Sequence, residues 1–166
     1  MLIIFSGLPG TGKTTLAREV ARRLAAVYVR ADTIEQALRE GGIDDIGGLG
    51  YGVGYRLATE NLSLGRNVVA DSVNPWPLTR EAWRQAARDA GKPFFDVEVL
   101  CGDQVEHRRR VETRTVDVEG LVPPTWEEVV QRDYRPWDEP PFRVDTATLS
   151  IEEAVREILA NLPKLD

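Results

Sequence analysis

A three-layer α/β sandwich, with a central, mostly five-stranded parallel sheet flanked by helices, is the fold class this 166-residue sequence predicts. Three observations carry the expectation. Short apolar runs of strand length alternate with longer stretches whose apolar residues recur at helical spacing, and that alternation builds parallel sheets. The first run, Leu2 to Ser6, is almost wholly apolar, as a strand covered on both faces must be. It breaks at Gly7 into a glycine-rich loop that opens directly into an amphipathic stripe.

That stripe consists of Leu16, Ala17, Val20, Ala21 and Leu24, with Arg18, Glu19, Arg22 and Arg23 on the rest of the helix surface. A second strand is expected over about 26–29, then a short helix from Thr33 to Glu40 that Gly41 and Gly42 stop. Seven glycines between Gly41 and Gly54 argue against a regular element, so 41–55 is expected as a mobile loop, with a helix from about Tyr55 to Leu64. Further strands are expected at 67–70, 94–100 and 142–144, and a helix at about 79–90 is closed by Gly91 and Pro93. An arginine-rich helix should start near Asp103 and dissolve by about Val118. Thr125 with Glu128, and Ser150 with Glu153, are capping boxes for two later helices.

At this length one domain is expected over 1–166. Composition is that of an ordinary globular protein, 42% hydrophobic and 29% charged. A single cysteine, Cys101, excludes an intramolecular disulfide, and His107 as sole histidine excludes zinc spacings; Cys101 reads as a small buried residue and His107 as a surface helix residue. The first apolar run has no basic region ahead of it, and no stretch approaches about 18 apolar residues. The expectation is a cytoplasmic protein without a membrane association. A net charge of −6 disfavours broad phosphate-backbone binding, while leaving a local basic groove for nucleic acid open.

Residues 7–14 read GLPGTGKT. Gly7, Gly12, Lys13 and Thr14 meet the pattern of a phosphate-binding P-loop. The two fixed glycines alone recur about once in two hundred windows, and Lys and Thr make a chance match far rarer. Position adds more: a loop between strand and helix aims backbone N–H groups and the positive helix end at phosphates. Gly10 and Gly12 let the backbone curl, Pro9 stiffens it, and Thr11 and Thr15 complete the cradle. Lys13 is expected at the β and γ phosphates of ATP and Thr14 on Mg²⁺.

A P-loop at the start of a short chain resembles the adenylate-kinase-like branch of P-loop kinases, which includes gluconate kinase, shikimate kinase, chloramphenicol phosphotransferase and the kinase domain of polynucleotide kinase. The sequence is most similar in style to bacterial kinases of this group, also grouped with AAA-family ATPases, through Asp32 in YVRADT and through Asp71 and Asn74 in VVADSVNP. The resemblance implies a phosphotransferase with an alcohol acceptor. In that group the aspartate after the second strand contacts the acceptor hydroxyl and serves as its base, which assigns Asp32 that role; Asp32 with Glu35 also fits a capping box for the next helix. Asp71, ending the third strand, would hold a magnesium water or the acceptor, with Asn74, Trp76 and Arg80 following into the acceptor pocket. HRRRVETRT is similar to the group's lid, where one arginine stacks on adenine and another four residues on reaches the phosphates. Arg110 and Arg114 have that spacing. Asp145 to Ala147 resembles the segment that borders the adenine.

The implied function is transfer of the γ-phosphoryl group of ATP to a hydroxyl of a small molecule, with Lys13, Asp32 and Arg114 as the catalytic set. The 41–60 segment would cover the acceptor through Tyr51 and Tyr55, and the lid at about 108–124 would close over ATP. Two alternatives stand beside it: a nucleotide or polynucleotide 5′-hydroxyl kinase, and a nucleotide-binding switch with slow hydrolysis. Between Glu40 and Glu60 only Arg56 is basic, apart from which nothing there would greet a phosphate-bearing acceptor.

Overall fold

The structure is a computed structural model, and it describes residues 1–163. Five parallel strands form the sheet: β1 (Leu2–Ser6), β2 (Val27–Arg30), β3 (Val68–Asp71), β4 (Phe94–Leu100) and β5 (Phe142–Asp145). Their order is β2-β3-β1-β4-β5, with Leu2 opposite both Val68 and Phe94. β1 is central and buried at every position, which is why its sequence shows no polar alternation.

The two faces of β1 divide the core. Ile3 and Phe5 pack with Leu16 and Val20 of α1 (Lys13–Arg23) and Val155 and Ile158 of α7 (Ile151–Asn161). Leu2 and Ile4 pack with Ala58 and Leu62 of α3 (Leu49–Ser63) and Trp83 and Ala87 of α4 (Pro77–Asp89). The remaining helices are α2 (Ala31–Glu40), α5 (Gln104–Thr113) and the short α6 (Trp126–Val130). No described helix is long and apolar enough to cross a membrane.

After β3 the chain crosses to the other side of β1 to form β4, so the carboxyl ends of β1 and its neighbours open into a crevice. In sheets of this kind ligands bind there. The P-loop leaves β1 at this edge.

Two expected boundaries are corrected. The glycine-rich segment expected as a loop to Tyr55 is helical from Leu49 onward. Gly50 and Gly54 are buried in α3 because it passes too close to its neighbours for side chains: a Cβ on Gly54 would lie 2.9 Å from Trp83 Cη2, and one on Gly50 would overlap the Glu35 side chain. Close packing outweighs the helix propensity that glycine lacks. The arginine-rich helix α5 ends at Thr113, about five residues sooner than expected, and 114–124 is irregular. Both expected capping boxes are present, at Thr125 and Ser150.

Candidate active site

The P-loop is shaped by its glycines. Gly7 has φ 143°, and a Cβ there would drive into the Val99 carbonyl; Gly10 and Gly12 hold φ of 84° and 87°. Thr11 is buried and donates its hydroxyl to the Leu8 carbonyl at 2.9 Å, which folds the loop on itself. α1 begins at Gly12 with no capping side chain and no acidic residue in its first turn. Its leading N–H groups and positive end are therefore left for an anion. Gly10, Gly12, Lys13, Thr14 and Thr15 line a cleft of 960 Å³.

His107 corrects the sequence reading. It is buried rather than on the helix surface, its Nε2 donates to the Pro9 carbonyl at 2.8 Å, and its ring stands edge-on to Trp126 at 5.2 Å. A carbonyl can only accept, so the proton is on Nε2. α5 and α6 are thereby fastened to the P-loop.

Lys13 donates to Asp71 Oδ1, and both side chains are buried. Tyr28 donates its hydroxyl to Asp71 Oδ2 at 2.6 Å. Burial would raise the Asp71 pKa, but the Lys13 charge, with hydrogen bonds from Lys13, Tyr28 and Thr14, outweighs it and holds the carboxylate below its ordinary range. Burial also pushes the Tyr28 hydroxyl up, so it stays a donor. The described residues contain no cluster of three or more acidic, His or Cys side chains that could hold a metal by themselves. Mg²⁺ at a nucleotide does not need one, taking a hydroxyl and a carboxylate beside phosphate oxygens. The Thr14 hydroxyl and the Asp71 carboxylate are a pair of that chemistry, Thr14 lining the cleft and Asp71 held behind it by Lys13.

On the other side of the cleft lies Asp32. It sits in the first turn of α2, whose N-cap is Arg30 with no side-chain cap, so the Asp32 and Glu35 capping box does not form. Instead Asp32 Oδ2 accepts from Arg30 Nη2 at 3.3 Å, and Asp32 lines the same cleft as Lys13 and Thr14. Glu35 lines it too, its carboxyl raised by burial and by the neighbouring Asp32 charge.

The other expected acceptor residues lie elsewhere. Asn74, at φ 49°, ties β1 to β3 by donating from Nδ2 to Ser6 Oγ at 3.0 Å, and its N–H donates to the Tyr51 hydroxyl at 3.2 Å. Burial pushes the Tyr51 phenol up to about 12. Tyr55 donates to the Thr79 carbonyl at 3.3 Å and stands edge-on to Trp83, lining no part of the cleft. Trp76 is exposed, donating to Asp133, and buried Arg80 donates to the carbonyls of Asn74, Arg135 and Pro136 while stacking 4.1 Å from the Trp137 ring centre. That guanidinium is a staple for the 131–141 segment.

Arg110 and Arg114 both reach the cleft. Arg110 donates to Thr146 Oγ1 at 2.7 Å and to the Thr146 carbonyl at 3.1 Å, and Thr146 in turn donates to the Thr11 carbonyl at 2.8 Å. Beside them a second cavity of 370 Å³, lined by Gly12, Thr15, Arg110, Thr146 and Leu149, is of a size for a nucleoside base. Arg114 is the C-cap of α5 in extended conformation, and burial lowers its pKa. Arg108 and Arg109 pair with Glu112 and Glu106 on the exposed face.

Four site residues escaped the sequence reading: Arg30, Tyr28, His107 and Asp117. Arg30 left a signal, because a charged residue closing an otherwise apolar strand must find partners when buried. Asp117, in an irregular segment, left none.

The profile of a family described as AAA domain matches residues 2–131. The chain is 38% identical over 79 residues to the protein SEEDLING PLASTID DEVELOPMENT 1 of Arabidopsis thaliana, a match that spans 46% of this chain and only 12% of that protein. Among solved structures, Kti12 of Chaetomium thermophilum in complex with ADP-AlF3 superposes with a TM-score of 0.69 at 21% identity, covering 99% of this chain and 100% of that one. The APS kinase CysC of Mycobacterium tuberculosis in complex with AMPPNP and APS superposes with a TM-score of 0.64 at 21% identity, covering 96% of this chain and 95% of that one. P-loop, sheet order and crevice are thus those of the P-loop kinase fold, and the chain belongs to the AAA domain family.

Proposed function

We propose that the protein is an ATP-dependent kinase that transfers the γ-phosphoryl group to a hydroxyl of a small molecule. One observation carries the reading: a carboxylate, Asp32, stands in the same cleft as Lys13 and Thr14, exempt from the capping role its position suggested and paired instead with Arg30. A nucleotide switch has no use for a base opposite the phosphates; a kinase does.

In the proposed reaction the acceptor hydroxyl oxygen attacks the γ-phosphorus, the β–γ bridging bond breaks, and the hydroxyl proton passes to Asp32 as ADP leaves. Lys13 exchanges Asp71 for the β and γ phosphates. The N–H groups of Gly10 to Thr15 bind the phosphate oxygens, and Arg114 meets the charge that develops on the transferring group. The Thr14 hydroxyl, with Asp71 behind it, would hold Mg²⁺, which would supply neutralisation of the phosphate charge. Arg110 and Thr146 border the base. The acceptor enters beside Asp32 and Glu35.

ATP consumption with Mg²⁺, measured across hydroxylated metabolites, nucleosides, antibiotics and 5′-hydroxyl oligonucleotides, tests this. Acceptor-stimulated turnover is expected for one class, and Asp32→Asn should lower it by about 10²–10⁴ while AMPPNP still binds. Slow hydrolysis indifferent to every acceptor and to Asp32→Asn would overturn the reading in favour of a nucleotide switch.

A further inference from the structure

Arg30 is the least expected side chain in the cleft. It closes β2, is only 8% exposed, and its guanidinium meets Asp32 at 3.3 Å on one amino group and Asp117 at 3.0 and 3.1 Å on the other. Its Nε is buried without a hydrogen-bond partner, as is the Nε of Arg114. The second oxygen of Asp117 also pairs with Arg18, which comes from α1 and lies 5.8 Å from the ring centre of Tyr28 in β2. Two arginines from two rigid elements thus converge on one carboxylate, and that carboxylate belongs to the irregular 114–124 segment.

A forked site of this kind is fitted to a compact oxyanion, because planar guanidinium groups match carboxylate and phosphate oxygens in pairs. Asp117 supplies such a group from within the chain. It is the more dispensable member: its carboxylate is 42% exposed, whereas the Arg30 side chain is 8% exposed. Arg132 lines the same cleft, where its charge acts on Glu35. The basic side chains come from α1, β2 and the segment after α6, none of them in the 40–60 stretch where the sequence pointed for an acceptor site.

From this geometry we infer that Arg18 and Arg30 form an anion subsite for the phosphoryl acceptor, that the acceptor carries a carboxylate, phosphate or sulfate close to the hydroxyl it presents to Asp32, and that Asp117 competes for the subsite. Arg30 spans both parts of the acceptor, since the same guanidinium that binds the oxyanion also holds the base. The nature of the acceptor rests on the kinase reading above; the anion subsite does not.

The test begins with protein saturated in AMPPNP, so that the P-loop is filled, titrated with sodium sulfate in a calorimeter. One further anion site is expected. Arg18→Gln, a half-exposed position that leaves the core intact, should weaken it at least about tenfold, as loss of a charge-assisted hydrogen bond does. Arg30→Gln should do the same, and Asp117→Asn should tighten it several-fold by removing the competitor. Absence of a sulfate site, or sulfate affinity unmoved by Arg18→Gln and Asp117→Asn alike, overturns the subsite whatever the kinase assay shows. A second arm compares hydroxy acids, phosphorylated alcohols and their neutral analogues as acceptors. Turnover with either anionic class, lost in Arg18→Gln, supports the inference and names the oxyanion; turnover confined to neutral alcohols overturns it while leaving the kinase reading standing.

Discussion

The most consequential side-chain pair is Lys13 with Asp71. Both are buried, and neither charge is tolerable there alone. Asp71→Asn should therefore cost on the order of 3 kcal/mol of stability near neutral pH, measured by urea unfolding, because it strands the Lys13 ammonium. The pH dependence has a definite sign. The folded-state pKa of Asp71 lies below the ordinary 3.8, so its contribution is complete above that value and is lost as acid carries the pH down through the folded pKa. Wild type should lose stability more steeply than Asp71→Asn across that acid window; parallel curves would place the shift elsewhere. Tyr28→Phe removes one hydrogen bond to the same carboxylate and should cost about 1–2 kcal/mol, with ATP binding altered little.

At the scale of elements, α3 and α5 hold the lessons. Gly54 in α3 faces the Trp83 ring with no room for a methyl group, so Gly54→Ala should destabilise by about 1–3 kcal/mol despite alanine being the better helix former. Gly52 in the same helix has open space, and Gly52→Ala should be neutral or stabilising. Paired urea titrations separate packing from propensity; equal effects at the two positions would refute this account. α5 is fastened to the P-loop through His107 and Pro9, so His107→Ala should weaken AMPPNP binding by loosening the loop, although the residue lies outside the phosphate cradle. A binding constant indistinguishable from wild type would make that contact incidental. The strands, the capping boxes and α1 were legible because each writes a local pattern: apolar runs, Ser or Thr three residues before Glu, a stripe of period 3.6. α3 was not, because its glycines answer to Glu35 and Trp83, partners distant in sequence.

For the molecule as a whole, sheet order decides where everything meets. The switch from β3 across β1 to β4 opens the crevice into which the P-loop, β2–α2 and the segment after α5 all project. A nucleotide bound there couples these parts, so AMPPNP at about a hundred times its Kd should add about 2.7 kcal/mol and raise Tm by roughly 5–10 °C, with the shift much reduced in Lys13→Ala. The sequence by itself determined the class of fold and the phosphate cradle, since both depend on contiguous residues: a buried strand, a glycine loop and a helix start are local facts. It also brought Asp32, Asp71, Arg110 and Arg114 into consideration, through motif positions at the ends of strands and along one helix. Only the tertiary structure decided which charges pair. That Asp71 holds Lys13 and Tyr28, that Arg30 joins Asp32 to Asp117, that His107 is buried on Pro9 and that Tyr55 faces Trp83 all follow from segments brought together across the sheet edge. Burial sets the worth of each of those pairs, and burial is a property of the assembled layers rather than of any one stretch of chain.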